Sequence, residues 1–134
     1  MSQQKYTHQF RVYYEDTDAG GVVYHANYLN FFERTRTEWL RSKGLYQSQM
    51  REQANVILAI RKMEIDYVLP ARLDDLLTVT TEVVEHSKIA MWVAQEIHVD
   101  GVLMAKARVQ IVSLNASKFK PMRFPKQYLE ELLF

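Results

Sequence analysis

Between Tyr14 and Tyr28 the chain reads Tyr-Glu-Asp-Thr-Asp-Ala-Gly-Gly-Val-Val-Tyr-His-Ala-Asn-Tyr, placing Asp16, Asp18, Gly20, Gly21 and His25 within ten residues. A strand-like segment precedes this stretch and a helical one follows it. Glycine lacks a Cβ and reaches dihedrals that other residues avoid, so paired glycines let the backbone approach a ligand. A helix start offers unpaired N–H groups and a partial positive charge, which suit a developing anion. A carboxylate aimed at an electrophilic carbon, with helix N–H groups aimed at its oxygen, is a candidate acyl-transfer site.

Other chemistries fit the chain less well. There is no cysteine, which excludes disulfides, thiolate metal sites and a Cys nucleophile and fits a reducing compartment. No Gly-x-Ser-x-Gly occurs, so a serine-hydrolase site is excluded. Asp16, Asp18 and His25 are side chains that suit a hard or borderline cation. No further local ligand joins them, and His8, His86 and His98 lie on separate segments, so no metal is expected. Aspartate also favours turns for its own hydrogen bonds. Asp16 takes that structural reading, as the residue that holds the loop.

The elements must place this loop. His8–Tyr14 alternates around Phe10, Val12 and Tyr14 and predicts a strand. Ala26–Ser42 predicts a helix about 25 Å long, with Tyr28, Phe31, Phe32, Thr35 and Trp39 in one stripe widened by Leu29 and Leu40. Asn27 is a candidate cap for its start, and Gly44 a stop. The stripe reads as core packing. Glu33 with Arg36, and Arg34 with Glu38, read as solvated helix pairs, with Glu33 an exception if it faces an interface.

Leu45–Gln53 is polar and leaves room for a short helical turn. Val56–Ile60 is continuously apolar, as in a strand buried on both faces. From Arg61 it turns to alternation, with Met63, Ile65, Tyr67 and Leu69 opposite Lys62, Glu64 and Asp66, ending at Pro70. Leu76–Glu85 and Ile89–Val99 predict two more strands. Asp100-Gly101 predicts a type I′ hairpin into Val102–Leu114. The tail from Lys118 is basic, and Gln127–Leu133 predicts a short amphipathic helix.

This order, a strand, one long helix and four long strands, gives an α+β design in one domain spanning 1–134. Ala105 and Ala107 are small enough to let the helix sit close. No second long helix covers the other sheet face, so a homo-oligomer is expected. The net charge of +1 gives no global drive toward nucleic acid. The Lys118–Lys126 tail has four basic residues without an evident stacking platform, which is a weak nucleic-acid or membrane signal. Met1–His8 lacks the apolar core of a signal peptide, and Ile89–Ala94, the longest apolar run, cannot span a bilayer. A soluble cytoplasmic protein is expected.

The string Val12–Tyr28, then Phe32-Glu-Arg-Thr-Arg-Thr-Glu-Trp-Leu40, Arg61-Lys-Met63 and Tyr67-Val-Leu-Pro-Ala-Arg-Leu-Asp-Asp75, resembles the 4-hydroxybenzoyl-CoA thioesterase group of the hotdog-fold superfamily. Within that group the chain resembles the small bacterial acyl-CoA thioesterases of YbgC type, associated with the Tol–Pal envelope system. The resemblance covers essentially the whole chain.

It implies a hotdog fold, a five-stranded antiparallel sheet wrapped around one long helix. It also implies hydrolysis of an acyl-CoA without a cofactor, in a homodimer or dimer of dimers with sites at subunit interfaces. Asp18 is then the catalytic carboxylate, acting as nucleophile or general base. The His25 N–H polarises the thioester oxygen, and the His25 side chain is a second catalytic or orienting group. Gly20, Gly21, Val22, Tyr24, Arg61 and Lys62 are the candidate substrate-binding residues. Arg72, Lys88, Arg108, Lys118 and Lys120 are further basic candidates for the CoA phosphates. Two alternatives stand beside this reading. One is a scaffold that binds acyl carrier protein or phospholipid-synthesis enzymes without catalysis. The other is a hotdog dehydratase using His25 and a carboxylate on 3-hydroxyacyl thioesters.

Overall fold

The computed structural model describes residues 5–133, so Met1–Gln4 of the N-terminal stretch lie outside the described residues. The elements are β1 (Tyr6–Arg11), α1 (Asn27–Ser42), α2 (Gln47–Ala54), β2 (Val56–Tyr67), β3 (Leu76–His86), β4 (Ala90–Val99), β5 (Val102–Asn115) and α3 (Lys126–Leu133). The five strands form one antiparallel sheet in the order β1-β3-β4-β5-β2. One face of the sheet packs on α1, as expected. No helix among the described residues is long and apolar enough to cross a membrane.

The helix stripe is the core. Tyr28, Phe31, Phe32, Thr35 and Trp39 are buried, and β3, β4 and β5 turn Leu77, Val79, Met91, Val93, Ile97, Val109 and Ile111 toward them. Gly44 ends α1 at φ +75°, donating its N–H to Arg41 O while Leu45 N–H reaches Leu40 O. This paired closure needs a left-handed residue, which glycine adopts at little cost. Asp100 and Gly101 both have positive φ, at +49° and +78°, so the predicted hairpin forms between β4 and β5.

Several expectations are corrected. β1 ends at Arg11 rather than Tyr14, because the Asp16 carboxylate captures the Tyr13 N–H at 2.8 Å and the chain turns through a 3₁₀ segment, Tyr14–Asp16. Asn27 does not cap α1; its amide donates instead to Asp16 Oδ1 at 2.7 Å. Leu29 is exposed. Val56–Ile60 is not buried throughout on both faces: Val56 is buried, Ile57, Leu58 and Ala59 are half-buried, and Ile60 is 44% exposed; β2 is also an edge strand. The change of pattern at Arg61 is a β-bulge, with register shifting between Ile60 and Lys62, so that Ile60 and Met63 oppose the core residues Ile111 and Val109. Leu45–Gln53 holds a full helix, α2. Ala105 and Ala107 are buried, but the backbone of α1 comes nearest to β1 and β3.

Arg36 is also corrected. It is buried rather than paired with Glu33 on the surface, and Nη1 donates to Gln95 Oε1 at 3.0 Å. Gln95 Nε2 in turn donates to Phe32 O and to Thr81 Oγ1. Burial holds the Arg36 guanidinium below its usual pKa. Glu33 accepts from Thr37, and Glu38 pairs with Arg41 in place of Arg34.

Candidate active site

The loop folds back on itself before α1. Thr17 bridges Val23, Asp18 N–H donates to Val22 O at 2.9 Å, and Gly21 N–H donates to Asp18 O at 3.0 Å. Gly21 stands at φ +79°, a conformation an L side chain adopts only under strain. Val22 bridges Arg72 and Val23 N–H donates to Ala71 O at 2.8 Å, which ties the loop to the segment following β2.

Two aspartates two residues apart acquire different roles from this geometry. Asp16 is 9% exposed, with Oδ2 bonded to the Tyr13 N–H and Oδ1 to the Asn27 amide. Its backbone carbonyl also accepts from Tyr24 N–H at 2.9 Å. Asp16 is therefore structural, and it fastens the loop to the start of α1. Asp18 is exposed, and its Oδ1 accepts the Gly20 N–H at 2.8 Å. A Cβ at position 20 would lie 3.1 Å from that oxygen, so glycine gives the carboxylate its room.

Asp18, Val22, His25, Tyr28, Tyr67 and Leu69 line one cavity of about 270 Å³. His25 stands at the entrance to α1, and its backbone N–H has no acceptor among the described residues. The His25 carbonyl accepts from Tyr67 Oη at 2.8 Å. The Tyr28 hydroxyl accepts from Ala71 N–H at 3.1 Å. Burial pushes the Tyr28 phenol above its usual pKa, against the opposing effect of that bond. Asp18 and His25 thus border one space beside the entrance to α1.

The remaining predicted residues fall in two groups. Gly20, Gly21 and Tyr24 shape the loop without lining the cavity, and the Tyr24 ring lies 4.7 Å from the His25 ring. Arg61 and Lys62 are exposed on β2 outside the lining, and Lys62 faces Glu64 at 3.4 Å. Of the other basic candidates, Arg72 sits beside the loop through its bridge to Val22, whereas Arg108 pairs with Glu85 at 2.8 Å. Among the described residues no three His, Cys, Asp or Glu side chains converge as a metal site. Tyr28 and Tyr67 were not singled out from the sequence as site residues. Their available signal was position: Tyr28 is buried near the start of α1, and Tyr67, half-exposed, ends β2.

Residues 12–132 match the model of the thioesterase-like superfamily. Over 117 residues the chain is 45% identical to the acyl-CoA thioesterase YbgC of Haemophilus influenzae, covering 87% of this chain and 86% of that one. A probable thioesterase from Bartonella henselae superposes with a TM-score of 0.87 at 36% identity, over 91% of this chain and 100% of that one. A 4-hydroxybenzoyl-CoA thioesterase variant, complexed with 4-hydroxybenzoyl-CoA, superposes with a TM-score of 0.90 over 97% and 99% of the two chains. At 19% identity that likeness concerns the hotdog fold alone.

Proposed function

The chain belongs to the thioesterase-like superfamily, and from that premise we propose that it hydrolyses acyl-CoA thioesters to a carboxylic acid and CoA. Asp18 supplies the attacking power, either by adding its own oxygen to the thioester carbon or by taking a proton from the water that adds. In the first route the CoA thiolate leaves an acyl–Asp18 anhydride, which water then opens. In the second, water's oxygen ends in the acid directly. In both routes negative charge builds on the thioester oxygen and meets the His25 N–H. One such preorganised donor contributes roughly 10²–10³ in rate. The His25 imidazole borders the same cavity as an orienting group.

The observation that carries this reading is an exposed Asp18 carboxylate lining one cavity with His25, whose N–H has no acceptor among the described residues. Gly20, Gly21, Val22 and Tyr24 hold the loop against the thioester end of the substrate. Arg61 and Lys62, outside the lining, are left for the distant phosphates of CoA.

The reading includes self-association. Among the described residues, one side of the 12-residue strand β2 has no strand partner, with Ile60, Tyr67, Val68 and Leu69 all exposed near it. An open apolar edge of this kind is a template for pairing with another chain. The compartment proposed is the cytoplasm, where CoA thioesters circulate. Acyl carrier protein presents the same pantetheine thioester, so it belongs among the donors to be tried.

The test is release of free thiol from short, long and aromatic acyl-CoAs and from acyl carrier protein thioesters. The reading predicts equal amounts of thiol and acid from at least one CoA ester. An enoyl thioester formed without thiol would identify a dehydratase, and carrier-protein binding without any turnover would identify a scaffold.

A further inference from the structure

Two i→i−3 turns lead into α1: Asn27 N–H donates to Tyr24 O at 2.8 Å and Leu29 N–H to Ala26 O at 3.2 Å. The carbonyl between them, that of His25, is left out of the helical ladder. A side chain 42 positions later takes it up, the Tyr67 hydroxyl at 2.8 Å. Tyr67 is the last residue of β2 and stands opposite Ala105 of β5. The next two residues are held to the same strand, Val68 N–H and Leu69 N–H both donating to Met104 O. The Tyr67 ring meets Tyr28 edge-on at 5.3 Å and His25 at 6.3 Å. Its hydroxyl therefore projects from a rigid strand end to the one carbonyl at the helix entrance that the helix does not use.

We propose that Tyr67 is a positioning residue for hydrolysis: its bond to the His25 carbonyl clamps the first turn of α1 to the end of β2 and fixes the backbone of His25 at the cavity. The peptide that follows His25 is planar and includes the His25 Cα, so a bond to its oxygen restrains where that Cα sits. With the Cα restrained, the His25 N–H and imidazole have less room to move relative to Asp18. A donor aimed at the transition-state oxygen works only if it needs no reorganisation when the charge appears. The clamp acts through His25 and so rests on the function proposed above.

Tyr67→Phe removes the hydroxyl and keeps the ring contacts. The expected result is a fall of about tenfold in kcat, the size of one hydrogen bond, with KM within about twofold. A purely structural role would lower stability and leave kcat of the folded fraction intact. A second readout is independent of activity: the ¹³C resonance of the His25 carbonyl should shift in Tyr67→Phe while those of β4 stay in place. Asp18→Asn run in parallel separates the failures. Turnover lost in Asp18→Asn but complete in Tyr67→Phe overturns the clamp alone. An unmoved His25 carbonyl resonance also overturns it. Absence of turnover in the wild type on every acyl-CoA overturns both proposals.

Discussion

Asp16 and Asp18 have the same side chain, and burial and hydrogen bonding set them apart. Asp16 spends both oxygens on its neighbours, whereas Asp18 keeps its carboxylate at the cavity with a single bond, from Gly20 N–H. Gly20→Ala places a methyl 3.1 Å from Asp18 Oδ1, and the carboxylate must move by a few tenths of an ångström. Misplacement by 1 Å can cost about 10² in rate, so kcat should fall by about three- to tenfold, with little change in thermal midpoint. Steady-state kinetics beside a melting curve would check both. At this scale the meeting of Asp18 and His25 in one cavity and the bonds Asp16 makes were legible, because all three lie in one short string. Tyr67 was not. Its contribution is a hydroxyl reaching a carbonyl 42 positions away, and periodicity reports only which face it occupies.

Between elements, α1 is fastened to the sheet by a buried polar knot as well as by its aromatic stripe. Gln95 of β4 joins Arg36, the Phe32 carbonyl and Thr81 of β3. Gln95→Leu would fit the apolar surroundings and yet leave the buried Arg36 guanidinium without its Gln95 acceptor, with only the charge of Glu33 to balance it. Breaking a buried polar pair in this way costs about 3 kcal/mol or more. The urea midpoint should drop accordingly, with the m-value unchanged; a shift of under about 1 kcal/mol would show that Arg36 finds another partner. The elements themselves were largely legible, since alternation marks the half-buried strands and the 3.6-residue stripe marks α1. Gln95 and Arg36 broke the pattern because each is polar at a core position. Composition cannot show that they satisfy one another across 59 positions.

For the molecule as a whole, the open side of β2 is the feature a single chain leaves unexplained. Its first residues are as apolar as those of an interior strand, yet the sheet places them at an edge. The run Val56–Ile60 predicts a strand buried on both faces, so its apolar sequence and its edge position are mismatched. That mismatch is what pairing with a second copy would produce. The protein should sediment as a dimer or larger at micromolar concentration. Ile60→Asp, a charge at a half-exposed edge position, should shift it toward monomer. A wild-type monomer at all concentrations would contradict that account of the edge.

The central claim, that the Asp18 carboxylate drives thioester cleavage beside the helix entrance, is tested most directly by kcat for Asp18→Asn against the wild type. The substrate would be the best acyl-CoA, and circular dichroism and sedimentation would show the variant folded and assembled like its parent. The predicted result is a loss of at least about 10²-fold in kcat with the fold and assembly unchanged. A folded Asp18→Asn protein that turns over within about threefold of the wild type would contradict it.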